Sequence, residues 1–203
     1  MPLRDCSHPI TNDMPVYPGD PDVAVEPAAT MESDGFRVHR LALGTHTGTH
    51  LDAPSHLEPD GATLGEYEVE DFRWDARVVH CDPGAGGRIR ASDVPDFGDV
   101  DAVVFGTGWS EHWDTERYRE HPALTPDAAA RCADADIHVG VDCPSVDPAE
   151  SEAFPAHHEL LGAGSLILEN LTNLAGLPER VTLHAHPLPV DADGAPARVV
   201  AEY

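Results

Sequence analysis

The stretch GTHTGTHLDAPSH, Gly44 to His56, narrows what this chain can fold into more than any other. It sets three histidines and one carboxylate within thirteen residues, interrupted by two glycines and a proline. His50 and Asp52 are two apart, so on an extended segment both side chains leave the same face. Gly44 and Gly48 relax the backbone around His46, which lets a donor four residues before His50 swing back to the same point. Pro54 then ends any ladder. Two imidazoles and a carboxylate form a nitrogen and oxygen donor set that suits zinc or manganese rather than calcium or copper(I). The chain must therefore supply a rigid frame that holds an extended, ligand-bearing segment.

Candidate strands for that frame recur along the sequence. FRVHRLAL, residues 36–43, alternates apolar and polar positions as a half-buried strand does, and it leads directly into the histidine stretch. Residues 76–82 and 100–109 are β-branched runs bounded by Gly, Pro and Asp, which predicts two buried strands. Thr125, Pro126 and Asp127 form an N-cap, first-position and first-turn series that opens a helix over AAARCADAD. Residues 137–147 return as a strand, and Pro155 opens a second short helix that stops at Gly162 or Gly164. SLILENL (165–171) and VTLHAHPLPV (181–190) are further strands, and ARVVAEY (197–203) is expected to pair at an edge. Strands and helices mixed in this way predict an α/β domain over residues 1–203, with antiparallel pairing where connections are short.

Composition removes several function classes. Acidic residues number 37 against 12 basic ones, a formal charge of −25, and every basic residue is Arg. Nucleic acid is thus an unsuitable partner. The carboxylates are scattered, and together with the absence of Lys they resemble the surfaces of salt-adapted proteins, whose self-repulsion is screened when the Debye length falls to about 3 Å near 1 M salt. Cys6, Cys81, Cys132 and Cys143 are widely spaced with no CxxC pair, so free thiols are expected. The first twenty residues lack an apolar signal core and no 18-residue apolar run occurs, which points to a cytoplasmic protein without a membrane span.

Two further features bear on the site. Glu169 lies inside the apolar run SLILENL, where an ionised carboxylate is costly to bury without a strong partner such as a metal, and His157, His158 and Glu159 share the short helix after Pro155. Near the start, MPVYPGDP holds Tyr17 on a stiff, proline-rich arm that can cap a pocket. His8, His39, His80, His112, His121, His138, His184 and His186 show no partner spacing and read as structural.

HTGTHLDAPSH resembles the HxGTHxDxPxH signature of the metal-dependent cyclase family, whose best-known members are bacterial kynurenine formamidases. VYPGDP, GVDCPSVDPAESEAFPAHH, and ILENL followed by LPLPVDADGAPARVV are similar to that family's pattern and occur in its order. The resemblance implies a swivelling β/β/α fold with a mixed sheet, a homodimer, and two divalent ions, zinc or manganese, per subunit. It implies His46, His50 and Asp52 as ligands of one ion, Asp52 bridging to a second, His157 and Glu169 completing the pair, and His56 as the proton-transfer residue. Tyr17 stands where kynurenine formamidases usually carry a tryptophan at the substrate pocket. The expected activity is hydrolysis of an amide by a metal-activated water, with N-formyl-kynurenine as the leading substrate and isatin-type ring opening of a cyclic amide as the nearest alternative. A non-catalytic protein that keeps the metal only to staple its fold is the alternative of another class.

Overall fold

Period-two alternation decides which of two cores each strand residue serves, as the computed structural model of residues 1–203 shows. Seven strands form a ring: β4 (His50–Asp52), β5 (Arg73–His80), β7 (Ala102–Gly106), β9 (His138–Val141), β10 (Ile167–Glu169), β11 (Arg180–Pro187) and β12 (Gly194–Glu202). Their order is β12-β11-β5-β7-β9-β10-β4, and β4 pairs back onto β12, so the sheet closes on itself. The short strand β1 (Leu3–Asp5) adds to β12 from outside. β5, β7, β9 and β10 run parallel in sequence, whereas β4, β11 and β12 are joined antiparallel. Apart from the ring lie two small pairs, β2 (Ala24–Ala29) with β3 (Val38–Ala42), and β6 (Arg88–Ile89) with β8 (Ala123–Leu124).

Inside the ring, one cluster takes Leu51, Trp74, Ala76, Val78, Ala102, Val104, Leu168, Val181, Leu183, Ala195 and Val199, the alternate positions of nearly every strand. Gly140 of β9 faces the same interior, where a Cβ would meet Leu171 and Val104 at 3.1 Å. The other set of positions on the parallel strands, Val103, Phe105, Val139, Val141 and Ile167, forms a second cluster against helices α1 (Pro126–Ala133) and α2 (Pro155–Gly162). β7 is buried at all five residues because it is covered on both faces, which explains its unbroken apolar run. Thr125 caps α1 by accepting from the Ala128 N–H, and Pro126 occupies the first turn. α2 stops at Gly162, with Gly164 at φ +88 reversing the chain beyond it.

Three expectations are corrected. The strand over 36–43 exists as β3, but its five residues are all exposed and it pairs only with β2, in a ribbon off the main sheet. Alternation marks a two-sided strand, yet no layer lies beneath this one, and the rigid base under His50 and Asp52 is β4 itself. The ARVVAEY segment is not an edge. It is the greater part of β12, which pairs with β11 along one side and with β4 and then β1 along the other. The strand predicted over 137–147 is confined to β9, after which CPSVD turns away. All four cysteines are free, and no helix is long and apolar enough to cross a membrane.

Candidate metal centre

β4 is three residues long and buried throughout, held between β10 and β12. Leu51 points into the ring, so His50 and Asp52 share the opposite face. The antiparallel register sets Glu169 of β10 directly across from His50. α2 packs beside that face and brings His157 to it. His46 comes from the loop before β4, where Gly48 at φ +64 turns the chain back, a conformation that favours glycine.

These five side chains meet. His46 Nδ1 lies 2.7 Å from Asp52 Oδ1, and His50 Nε2 lies 3.2 Å from the same oxygen and 3.6 Å from Glu169 Oε2. His157 Nε2 lies 3.7 Å from Asp52 Oδ2 and 3.4 Å from Glu169 Oε1. They make two groups that share Asp52, one with His46 and His50, the other with His157 and Glu169. Asp52 and Glu169 are 1% and 3% exposed, and Asp52 Oδ2 is buried without a hydrogen-bond partner. Four of the five separations, 3.2 to 3.7 Å, are long for hydrogen bonds and close to the spacing of about 3.4 Å between donors that share a cation at about 2.1 Å in tetrahedral geometry, whereas His46 and Asp52 at 2.7 Å are hydrogen-bonded and would part to admit one. The residues therefore fit a divalent cation.

The outward nitrogens of the three histidines tell the same story. His50 Nδ1 donates to the Gly48 carbonyl at 2.8 Å, which leaves Nε2 facing the carboxylates. His157 Nδ1 is held by Asp147 Oδ2 at 2.8 Å, and His46 Nε2 by Asp193 Oδ2 at 3.0 Å. Each imidazole is thus oriented by an acceptor behind it, the arrangement that metal-ligating histidines require. Asp147 is 0% exposed and also accepts the Ala156 and His157 backbone N–H groups, both at 2.9 Å, so one carboxylate caps α2 and aims its histidine. Asn170, at φ +55, donates to the Gly48 carbonyl and accepts from the Tyr118 hydroxyl, bracing the loop that carries His46 against Tyr118, which packs on Trp113 and accepts at its carbonyl from Trp109 Nε1.

Electrostatics concentrate protons here. Burial acts to lower the His46 pKa, but Asp52 and Asp193 outweigh it and raise it to about 9. His157 is likewise raised against burial, by Asp147, Asp52 and Glu169. Burial acts to raise the Asp52 pKa, and the surrounding His50, His157 and His46 hold it well below the usual carboxylate range. A cation entering this group takes over charge that protons would otherwise supply, so its binding releases protons.

His56 follows Pro54 on a 3-10 turn, Pro54–His56. Its ring lies 4.1 Å from that of His46 and 6.1 Å from that of His157, and its side chain is 28% exposed, the most open of the cluster. Its Nδ1 is 3.3 Å from Asp193 Oδ2. Tyr17 stands apart: it is half-buried on a turn closed by the Asp20 N–H, and its side chain hydrogen-bonds to none of these residues. The arm that carries it reaches the ligand loop through Pro21, whose Cδ lies 3.3 Å from the position a Cβ on Gly44 would take.

Asp147 and Asp193 were not singled out from the sequence. Each has a weak local signal: Asp147 precedes a proline just ahead of α2, and Asp193 belongs to a DADG turn ahead of β12, but turn chemistry alone gives no reason to send either carboxylate to a histidine.

Comparisons with known proteins show the family of the chain. The family model described as Putative cyclase matches residues 4–148. A kynurenine formamidase of Salinibacter ruber (strain DSM 13855 / M31) is 36% identical over 206 residues, covering 98% of this chain and 97% of that protein. A kynurenine formamidase of Bacillus mycoides (strain KBAB4) is 33% identical over 202 residues, covering 97% and 95%. Among solved structures, an isatin hydrolase bound to the product analogue thioisatinate superposes with a TM-score of 0.87 at 26% identity, covering 98% of this chain and 91% of that one. A potential metal-dependent hydrolase with cyclase activity superposes with a TM-score of 0.82 at 32% identity, covering 98% and 96%.

Proposed function

Because this chain belongs to the cyclase family, we propose that it is a metal-dependent amidohydrolase of arylformamidase type, converting N-formyl-kynurenine to kynurenine and formate. The observation that carries the reading is the buried pair Asp52 and Glu169, set among three histidines whose outer nitrogens are each already engaged. His46, His50 and Asp52 would hold one zinc or manganese ion, and Asp52, His157 and Glu169 a second. Such ions supply a water activated near neutral pH and polarise a carbonyl oxygen.

The remaining work falls to the protein. Asp147 and the Gly48 carbonyl keep His157 and His50 fixed through the reaction, which avoids reorganisation at the moment of attack. His56, the exposed member of the cluster, takes a proton released on attack and returns it to the departing aryl nitrogen. Tyr17 caps the pocket from the N-terminal arm as the aromatic contact for the substrate ring. The fold similarity to an isatin hydrolase favours one further substrate class, cyclic aryl amides, for which the same residues open a ring instead of releasing formate.

We place the enzyme as a homodimer. The β2–β3 ribbon supports this, since Phe36, Val38 and Leu41 are 55%, 47% and 59% exposed along it. Leu41→Asp should shift the molecular mass measured by light scattering from two chains to one; a wild-type protein that is already monomeric removes the dimer.

Activity is tested by formate release from N-formyl-kynurenine and by loss of isatin absorbance, in molar salt with added zinc or manganese. Turnover of the first supports the arylformamidase reading, and turnover of the second alone moves the assignment to cyclic amides. A fully metallated protein that turns over neither leaves a metal used only to hold the fold.

A further inference from the structure

The Asp193 carboxylate is the group that the reaction outlined above does not use. Its Oδ2 lies 3.0 Å from His46 Nε2 and 3.3 Å from His56 Nδ1, so one oxygen joins a proposed ligand to the proposed proton-transfer histidine. The turn that carries it is fastened to the segment that carries His56. The Ala53 N–H donates to the Asp193 carbonyl and the Leu64 N–H to the Ala192 carbonyl, both at 2.9 Å, and the Thr63 hydroxyl donates to Asp191. Gly194 completes the approach, because a Cβ there would stand 2.8 Å from His46 Cε1 and 2.8 Å from the Leu51 carbonyl oxygen.

We propose that Asp193 is a positioning residue that holds His56 in the tautomer protonated at Nδ1, leaving Nε2 as the nitrogen that exchanges protons with the substrate. The proposal rests on the reading of His56 as the proton-transfer group. A carboxylate oxygen only accepts, so the hydrogen bond to Asp193 places the proton on Nδ1 and turns the unprotonated Nε2 outward. Asp193 is not itself a ligand in this account. A cation between His46, His56 and Asp193 would need His46 to give both ring nitrogens to metals, and the Asp193 side chain is 40% exposed where those of Asp52 and Glu169 are 1% and 5%. The same contact fixes the His46 ring, so Asp193 sets the distance between the two histidines as well as the tautomer of one.

The test uses the zinc-loaded full chain in molar salt and compares wild type, Asp193→Ala, Asp193→Asn, His56→Gln and the Asp193→Ala/His56→Gln pair. Long-range proton–nitrogen correlation of the imidazoles reads tautomers without turnover, and the His56 signals are those lost in His56→Gln. His56 should be protonated at Nδ1 in wild type and Asp193→Asn, and shift to Nε2 or a mixture in Asp193→Ala. Bound zinc at saturation should be equal in all. With N-formyl arylamines, Asp193→Ala should lower kcat about 10- to 100-fold with KM held within about twofold, and Asp193→Asn should recover part of the loss. In the His56→Gln background the same alanine should cost less than about threefold, since two residues acting as a unit do not multiply. An unchanged His56 tautomer in Asp193→Ala, a lower zinc stoichiometry, or costs that multiply across the two backgrounds each overturn the proposal. Should wild type hydrolyse no amide, the enzymatic reading fails, while the tautomer and zinc measurements still decide the role of Asp193.

Discussion

Replacing Asp147 with alanine should cost this protein both stability and its hold on His157. Asp147 is 0% exposed and accepts three hydrogen bonds, from Ala156 N–H, His157 N–H and His157 Nδ1, at 2.9, 2.9 and 2.8 Å. Hydrogen bonds to a charged group are worth about 1.5 to 3 kcal/mol each, but their losses do not sum, and deleting one partner of a buried charged pair costs about 3 to 5 kcal/mol. With a urea slope of about 2 kcal/mol per molar, 4 kcal/mol moves the midpoint by about 2 M. Urea unfolding in molar salt with a chelator isolates that contribution, because no cation is then linked to folding. Repeating the measurement at fixed excess zinc adds the second effect: His157 loses the acceptor that aims it, which should weaken zinc affinity about 10- to 100-fold. Asp147→Asn keeps one acceptor oxygen and sets an amide N–H against a backbone N–H, so it should fall between alanine and wild type. A midpoint for Asp147→Ala within about 0.5 M of wild type, with zinc affinity unchanged, would refute the reasoning.

Three other outcomes follow from separate parts of the molecule. Gly194→Ala should weaken zinc binding about 10- to 100-fold by pushing the His46 ring out of place, and wild-type affinity in a zinc titration would show that His46 has room to give. With a charge of −25 and no Lys, the protein should lose about 2 kcal/mol on dialysis below about 0.1 M salt, where the Debye length reaches about 10 Å; a melting temperature that moves by less than about 2 °C between low and molar salt speaks against salt adaptation. Burial pushes the His8 pKa from 6.5 down to about 4, so the unfolded chain takes up a proton that the folded one refuses, and the contribution is complete above pH 6.5 and lost as pH falls towards 4. His8→Phe keeps the stack on Trp113, 3.8 Å and 12° in wild type, and its melting temperature should fall less over that window; parallel curves would remove His8 from the acid response.

The elements that could be read from sequence are those whose signal is local. Thr125-Pro126-Asp127 starts α1 because its cap chemistry is written in adjacent residues, and Pro155 marks the first turn of α2 although the carboxylate that caps it, Asp147, comes from further back in the chain. His50 and Asp52 share a face because a three-residue strand has no other choice. What the residues cannot announce is which layer lies beneath them. Phe36 to His39 alternate just as Arg73 to Val78 do, yet the first stretch leads into an open ribbon and the second lines the ring. ARVVAEY reads as a terminal edge, and becomes an interior strand because β1 adds outside it while β11 pairs along its other side. Asp147 and Asp193 were invisible for a related reason. Their partners lie 10 to 147 residues away, brought close by helix packing and ring closure, and an aspartate ahead of a proline or glycine is otherwise an ordinary turn residue.

The closure of the ring also sets an order of events during synthesis. β12 carries contacts to both ends of the fold, pairing Glu202 with Leu3 and Gly194 with Asp52. His46, His50, Asp52, His157 and Glu169 have all left the ribosome before Gly194 does, yet until residues 194–202 emerge β4 has a neighbour on one side only. A nascent chain shorter than this has the donors without their arrangement. Pairings of such long sequence separation are slow to form, so β12 is expected to pair late and to bring the five side chains together as it does. The parallel half, β5 to β10 with its two helices, draws its contacts from a shorter stretch of chain and can settle first. On this order the five side chains come together only when β12 pairs between β11 and β4.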